Sequence, residues 1–272
     1  MTETKDSSLL TVAYKLYAPE LRPEIDRLAI EYGLHLIPAE MVSLDENLPI
    51  LKITKNQLIL EHNDQMFFFH PSMSLLRMIN ILRGEGDRFL QASGITAGDR
   101  FLDATMGLAS DALLASWAVG EKGKVTAVES SLLIYILVKD GLARLEENRP
   151  ASIKNKEKDE AWKKLCEASS RIQTVCMDHA RFLEELPDSS YDVIYFDPMF
   201  RTTVRKSASI KPLKNLSHPE PLTKETIRQA RRVARKRLVL KEKRNGGEFE
   251  RLGFTMVEGS KYNPICFGVI EL

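Results

Sequence analysis

Phe101-Leu102-Asp103-Ala104-Thr105-Met106-Gly107-Leu108-Ala109-Ser110-Asp111 joins a short apolar strand to the start of a helix through a turn with one glycine. A strand–turn–helix of this kind points backbone N–H groups at a ligand, and glycine lets the ligand approach closely. Outward from it, short apolar stretches alternate with longer ones of helical period. The spacing predicts strands over 101–103, 125–129, 172–176, 193–196, 238–241, 255–257 and 267–270, with helices over 111–119, 132–147, 180–186 and 224–234. Such alternation builds βαβ units, hence a mostly parallel sheet covered on both faces. The fold class is therefore α/β, with a Rossmann-like seven-stranded sheet over residues 72–272. Ligands of such sheets bind beyond the carboxyl ends of the strands, where strand order switches.

Upstream, a tail over residues 1–10 precedes a small N-terminal α/β lobe over 11–71. Strand-like alternation covers 11–17, and Leu21, Ile25, Leu28 and Ile30 give a helical pattern over 19–32. Short strands are expected over 50–54, 58–61 and 66–69, separated by the turn signals Lys55-Asn56 and Asn63-Asp64. From Ser72 one helical pattern runs through Leu75, Leu76, Ile79 and Leu82 to Phe89 and Leu90. Residues 148–164 read as a solvated loop followed by a helix.

With 43% hydrophobic residues in 272, the chain can bury a full core. It contains no apolar run of the roughly 18–20 residues that a membrane span needs, and Met1 to Ser8 are polar, so a cytoplasmic protein is expected. Cys166, Cys176 and Cys266 have neither disulfide nor zinc spacing and are expected as reduced core thiols, and no metal site is expected. The net charge of +1 conceals an uneven distribution: residues 201–244 hold fifteen Lys or Arg against Glu220, Glu225 and Glu242.

The turn after Asp103 lacks a second glycine, because Ala109 stands where a dinucleotide fingerprint would place one. Asp103 at the strand end suits a cation better than a phosphate. That combination favours S-adenosylmethionine (SAM), which carries a sulfonium and an ammonium and has no pyrophosphate. Gly107 would admit the ligand, and Glu129, closing the next strand, would accept from ribose hydroxyls, though an ordinary exposed carboxylate also fits there. Asp178 after the third strand would accept from the adenine amine or cap the helix that follows. The expected architecture is thus that of the class I SAM-dependent methyltransferases.

Tyr191-Asp192-Val193-Ile194-Tyr195-Phe196-Asp197-Pro198-Met199-Phe200 is an apolar strand ending in an acid, a proline and an aromatic. Proline removes a donor and fixes the turn, so that the Asp197 carboxylate and nearby carbonyls can converge as acceptors on an exocyclic amine. Phe200 would stack on the base that carries the amine. Termination of a buried strand is the alternative reading of Asp197-Pro198. Methyl transfer needs position and field more than a strong base, so Asp197, Pro198, Met199 and Phe200 form the expected catalytic clamp.

Arg201, Arg205, Lys206, Lys211 and Lys214 follow immediately and would contact phosphates of RNA, whose unpaired bases reach a pocket at low cost. A second cluster, Arg228, Arg231, Arg232, Arg235, Lys236 and Arg237, is expected mostly on a helix, as a nucleic-acid contact or a solvated face. The same clamp would serve an amide nitrogen of a small molecule or protein, and a SAM- or RNA-binding module without turnover is a third reading.

Asp-Ala-Thr-x-Gly-Leu-x-x-Asp-Ala at 103–112, Tyr-Phe-Asp-Pro-Met-Phe at 195–200, Arg-Lys-Ser-Ala at 205–208 and Arg-Leu-Val-Leu-Lys at 237–241 together resemble the bacterial small-subunit ribosomal RNA guanine-N(2) methyltransferase family, type J. The resemblance runs from about Glu46 to Lys241 and implies SAM as donor and a guanine of 16S rRNA as acceptor. It also implies cofactor contacts at Ser110, Asp111, Glu129, Ser130, Asp178, His179 and Asp197. The chain departs from the family pattern at Ala109-Ser110, where that family has Gly-Arg, at Ser130, where it has Arg, and at the shortened segment 83–87.

Overall fold

The computed structural model describes residues 9–43, 47–151, 153–198, 221–257 and 264–272. The chain divides into two units, Met1–Phe69 and His70–Leu272. In the first, β1 (Leu10–Leu16) leads into α1 (Arg22–Tyr32), β2 (Leu34–Pro38), β3 (Ile50–Ile53), β4 (Leu58–His62) and β5 (Gln65–Phe68). The sheet order is β2-β1-β3-β4-β5, with β1 parallel to β2 and β3, and β3-β4-β5 an antiparallel meander. Strand β2 carries little sequence signal, being short and closed by Pro38. Its place is set by pairing Leu10 with Leu34 and Val12 with Leu36 along β1.

The second unit begins with α2 (Ser72–Leu82) and α3 (Arg88–Ser93) where one helical run was expected. Residues 83–87 break it: Gly84 adopts φ 84°, a left-handed conformation that ends a helix, and Asp87 then caps α3 by accepting from the Leu90 N–H. There follow β6 (Arg100–Asp103), α4 (Ser110–Val119), β7 (Lys124–Glu129), α5 (Leu132–Ala143), α6 (Lys156–Ser169), β8 (Ile172–Cys176), α7 (His179–Glu185), β9 (Tyr191–Phe196), α8 (Lys224–Val233), β10 (Ala234–Lys243), α9 (Glu248–Leu252), β11 (Thr255–Val257) and β12 (Ile265–Glu271). Helix α5 is shorter than its pattern, because residues 144–148 continue as turns before Pro150.

Among the described residues the seven strands are ordered β11-β12-β10-β9-β6-β7-β8. Strands β6 to β10 run parallel, β12 is antiparallel to β10, and β11 to β12. The chain enters at β6, proceeds outward to β7 and β8, and returns to the other side of β6 as β9 and β10. The switch in strand order therefore falls between β6 and β9, whose carboxyl ends carry Asp103 and Asp197. Every residue of β9 is buried, which explains its largely apolar character; its charged residue, Asp192, accepts from the Arg100 N–H. Beneath it Phe89 packs edge-on to Tyr195, with ring centroids 4.8 Å apart, and to Phe101 at 5.9 Å.

The second basic cluster is split rather than helical. Arg228, Arg231 and Arg232 lie on α8, whereas Arg235, Lys236 and Arg237 begin β10, at the end of the sheet opposite Asp197. Much of its charge is taken up internally. Arg232 donates to the carbonyls of Leu183 and Leu186 and to Asp188, Lys236 pairs with Asp99, and Arg237 binds Glu271 and the Ala92 carbonyl. A structural tie, not a face beside the site, accounts for these three. The cysteines also differ from expectation, since all are free but only Cys266 is buried, with Cys166 intermediate and Cys176 exposed on edge strand β8. No helix among the described residues is long and apolar enough to cross a membrane.

Candidate functional site

The turn after β6 is sewn into the sheet on both sides. Ala104 N–H donates to the Tyr195 carbonyl at 2.9 Å and Met106 N–H to that of Val128 at 2.8 Å, so the turn sits between β9 and β7. Asp103 accepts from Thr105 N–H at 3.1 Å, and Thr105 Oγ1 accepts from the Asp197 N–H at 2.6 Å. Gly107 N–H donates to Glu129 Oε2 at 3.0 Å, while Glu129 Oε1 accepts from Ser131 N–H at 2.9 Å. Four sequence-predicted residues, Asp103, Gly107, Glu129 and Asp197, are thus brought together through main-chain groups and the Thr105 hydroxyl of one turn.

Gly107 has φ 50° with open space where a side chain would project. Ala109, the cap of α4, also takes a left-handed conformation, φ 57°, although it is not a glycine. Its methyl group is accommodated at the conformational cost that glycine avoids, about 1–2 kcal/mol. Gly107→Ala should lower stability by a similar amount, about 1–2 kcal/mol, in denaturant titrations. It should also weaken SAM binding in calorimetry, because the methyl group enters the open space.

A second network lies below this turn, joining Asp197 and Asp111, both expected in the site, to Lys241, Tyr195 and Arg77, which were given no role there. Lys241 Nζ donates to Asp197 Oδ2 at 2.6 Å and to Asp111 Oδ2 at 3.1 Å. Asp111 accepts in addition from Tyr195 Oη at 2.7 Å and from Arg77 Nη1 at 2.6 Å. Arg77 also grips Asp87 through Nε and Nη2, at 2.7 and 2.9 Å. Lys241 did leave a trace in the sequence, as a charged residue closing the apolar run Leu238-Val239-Leu240. Arg77 left none, since one arginine among polar helical residues is ordinary.

Acidic groups outnumber the cations here, and their protonation is uneven. Burial pushes the Asp103 carboxyl well above the usual carboxylate range, and the charge of Asp111 adds to it. Burial raises Glu129 too, against the backbone N–H groups it accepts from. Asp111 is driven the other way: burial alone would raise it, but Lys241 and Arg77 hold it well below the ordinary value. Lys241 is itself raised, because the two carboxylates outweigh its burial. Asp103 and Glu129 thus lie beside an open glycine, and a ligand carrying sulfonium and ammonium charges would favour their ionised forms. Asp103, Gly107 and Glu129 are the residues that would hold it.

The other expected cofactor contacts are dispersed around this core. Ser110 opens α4, its carbonyl accepting from the Ser74 hydroxyl at 3.2 Å. Asp111 is turned inward onto three protein donors. Ser130 follows β7 at intermediate exposure. Asp178 caps α7, accepting from the N–H groups of Ala180 and Arg181 at 2.9 and 3.1 Å. His179 packs edge-on to Phe196 at 6.2 Å, and burial lowers its pKa. Pro198 follows Asp197 at intermediate exposure, whereas Met199, Phe200, Arg201, Arg205, Lys206, Lys211 and Lys214 lie outside the described residues.

Residues 39–261 match a family described as "Putative SAM-dependent methyltransferase". The Bacillus subtilis protein YpiP is 40% identical over 205 residues, covering 75% of this chain and 74% of its own. The ribosomal RNA small subunit methyltransferase J of Cellvibrio japonicus is 34% identical over 132 residues, 47% of this chain and 44% of that protein. Its counterpart in Laribacter hongkongensis is 32% identical over 169 residues, 60% and 54% of the two chains. The crystal structure of a SAM-dependent methyltransferase from Neisseria gonorrhoeae shares the fold, with a TM-score of 0.61 at 17% identity over 96% of this chain and 95% of that one. The parallel sheet with its switch at β6 and β9, the carboxyl-lined turn and the family match lead to one conclusion: this chain belongs to the SAM-dependent methyltransferase family, as a divergent relative of the small-subunit ribosomal RNA methyltransferases J, with SAM as its cofactor.

Proposed function

We propose that the protein methylates the exocyclic amine of a guanine in small-subunit ribosomal RNA. The observation that carries this reading is the Asp197 carboxylate at the end of β9. One oxygen is bound by Lys241, and the other has no partner among the described residues, with 27% of the side chain exposed. An ionised oxygen of this kind accepts an amine N–H and offsets positive charge growing on the nitrogen. SAM, when bound, supplies an electrophilic methyl group. Pro198, which has no N–H, leaves no competing donor at the residue after the acid. Among the expected phosphate contacts, Arg201, Arg205, Lys206, Lys211 and Lys214 follow directly in sequence. The names borne by the Cellvibrio and Laribacter relatives support a ribosomal RNA substrate.

The test is transfer of a labelled methyl from SAM to small ribosomal subunits taken from cells lacking the gene, followed by mass spectrometry of the nucleosides. N2-methylguanosine is the expected product, and a methylated adenosine, cytidine or ribose in its place contradicts the assignment. With about five phosphate contacts, RNA affinity should fall about a hundredfold or more between about 50 and 200 mM salt. A salt-independent affinity points instead to an uncharged small substrate.

A further inference from the structure

We propose that Lys241 is a positioning residue for methyl transfer, whose ammonium fixes the Asp197 carboxylate through one oxygen and leaves the other to accept from the substrate amine. The inference rests on the reading of Asp197 given above. Its basis is how fully the surroundings define the ammonium. Lys241 lies between Asp197 Oδ2 at 2.6 Å and Asp111 Oδ2 at 3.1 Å, and Asp111 is itself anchored by Tyr195 and Arg77. The main chain of Asp197 is pinned separately, by its N–H on Thr105 Oγ1. Backbone and carboxylate are thus held from two different strands, β6 through its turn and β10, so the open oxygen has little freedom to rotate away.

Charge gives Lys241 a second part in the same task. The titratable and charged groups that act on or feel Asp197 are Asp103 from β6, Asp111 from α4, Arg77 from α2, Tyr195 from β9, and Lys241 and Glu242 from β10. Burial and the negative charge of Asp111 raise the Asp197 pKa above the usual carboxylate value, and the ammonium at 2.6 Å is the principal force holding that rise in check. A protonated carboxyl would turn an O–H donor toward the amine and would no longer offset charge on its nitrogen. Lys241 moves no proton itself, since it stays charged between two carboxylates. A merely structural lysine would stabilise the fold through Asp111 and leave the pH profile of transfer unchanged.

The experiment uses the full chain with Lys241→Met, Lys241→Gln, Lys241→Arg and Asp197→Ala. Methyl transfer to ribosomal subunits is followed from about pH 6 to 9, SAM affinity by calorimetry, and the Asp197 carboxyl by carbon-13 titration. Lys241→Met should lower kcat about a hundredfold near pH 7 with KM for RNA little changed, and the deficit should shrink as pH rises. Lys241→Arg, which keeps the charge, should stay within about tenfold of the parent. The Asp197 carboxyl should stay largely protonated through neutral pH in Lys241→Met and ionised in the parent, a readout that needs no turnover. If Lys241→Met does not fold, Lys241→Gln, nearly the same length and still a donor, must show the same behaviour. A Lys241→Met profile parallel to the parent, or an Asp197 that stays ionised without the lysine, overturns the proposal. Asp197→Ala at the parent rate overturns the reading of the site, whereas an inactive Asp197→Ala beside a parallel lysine profile overturns only the role of Lys241.

Discussion

Asp197→Ala should lower methyl transfer about 10²–10³-fold, the usual cost of deleting one preorganised polar group from a transition-state site. The loss should fall on kcat, because the carboxylate acts where charge develops on the substrate nitrogen. SAM affinity should weaken only moderately, since Asp103, Gly107 and Glu129, the other proposed cofactor contacts, are left in place. Lys241 keeps Asp111 as a partner, so the variant should remain folded. Asp197→Asn separates two contributions, because it preserves shape and one acceptor but not the charge. Recovery in the asparagine variant would assign the effect to hydrogen bonding, and loss in both to charge. Transfer at the parent rate in Asp197→Ala, measured in single-turnover assays, would refute the clamp.

Arg77→Ala should be the most destabilising single change near the site, at about 3 kcal/mol, the lower end of what removing one partner of a buried pair costs. The lower end applies because 21% of the Arg77 side chain reaches solvent. Its guanidinium ties α2 to the cap of α3 through Asp87 and to α4 through Asp111, and lies 5.6 Å from the Phe89 ring centroid. Lysine cannot reproduce that fork, so Arg77→Lys should recover little. The deficit should appear as a lower denaturant midpoint at unchanged slope.

The pH dependence of that deficit has a definite sign. Asp111 is held below its ordinary pKa in the folded protein, so its pairing contributes stability above about pH 4 and loses it as pH falls through the folded value. The gap between parent and Arg77→Ala should therefore be full at neutral pH and close in acid. A gap that persists unchanged into strong acid would mean that Asp111 is not the group the arginine serves.

Much of the architecture was legible because its determinants are local. The apolar runs at β6, β7, β9 and β12 and the helical period of α8 each fit within a window of ten or so residues. Local signals failed where distant partners decided the outcome. Strand β2 exists because β1 lies beside it, and β10 reaches back past its apolar run because Arg237 pairs with both Val193 and Glu271 and Ala234 pairs with Tyr191 across an irregularity in register.

The sequence by itself determined the alternation of strands and helices, the glycine turn after Asp103, and the acid at the end of the apolar strand 191–196. Only the tertiary structure decided that Asp197 would meet Lys241, 44 residues away, and that Asp111 would share that lysine from 130 residues away. The physical reason is register: pairing Leu240 with Phe196 brings the next residue of each strand, Lys241 and Asp197, to the same end of the sheet. No pattern within either segment encodes that alignment.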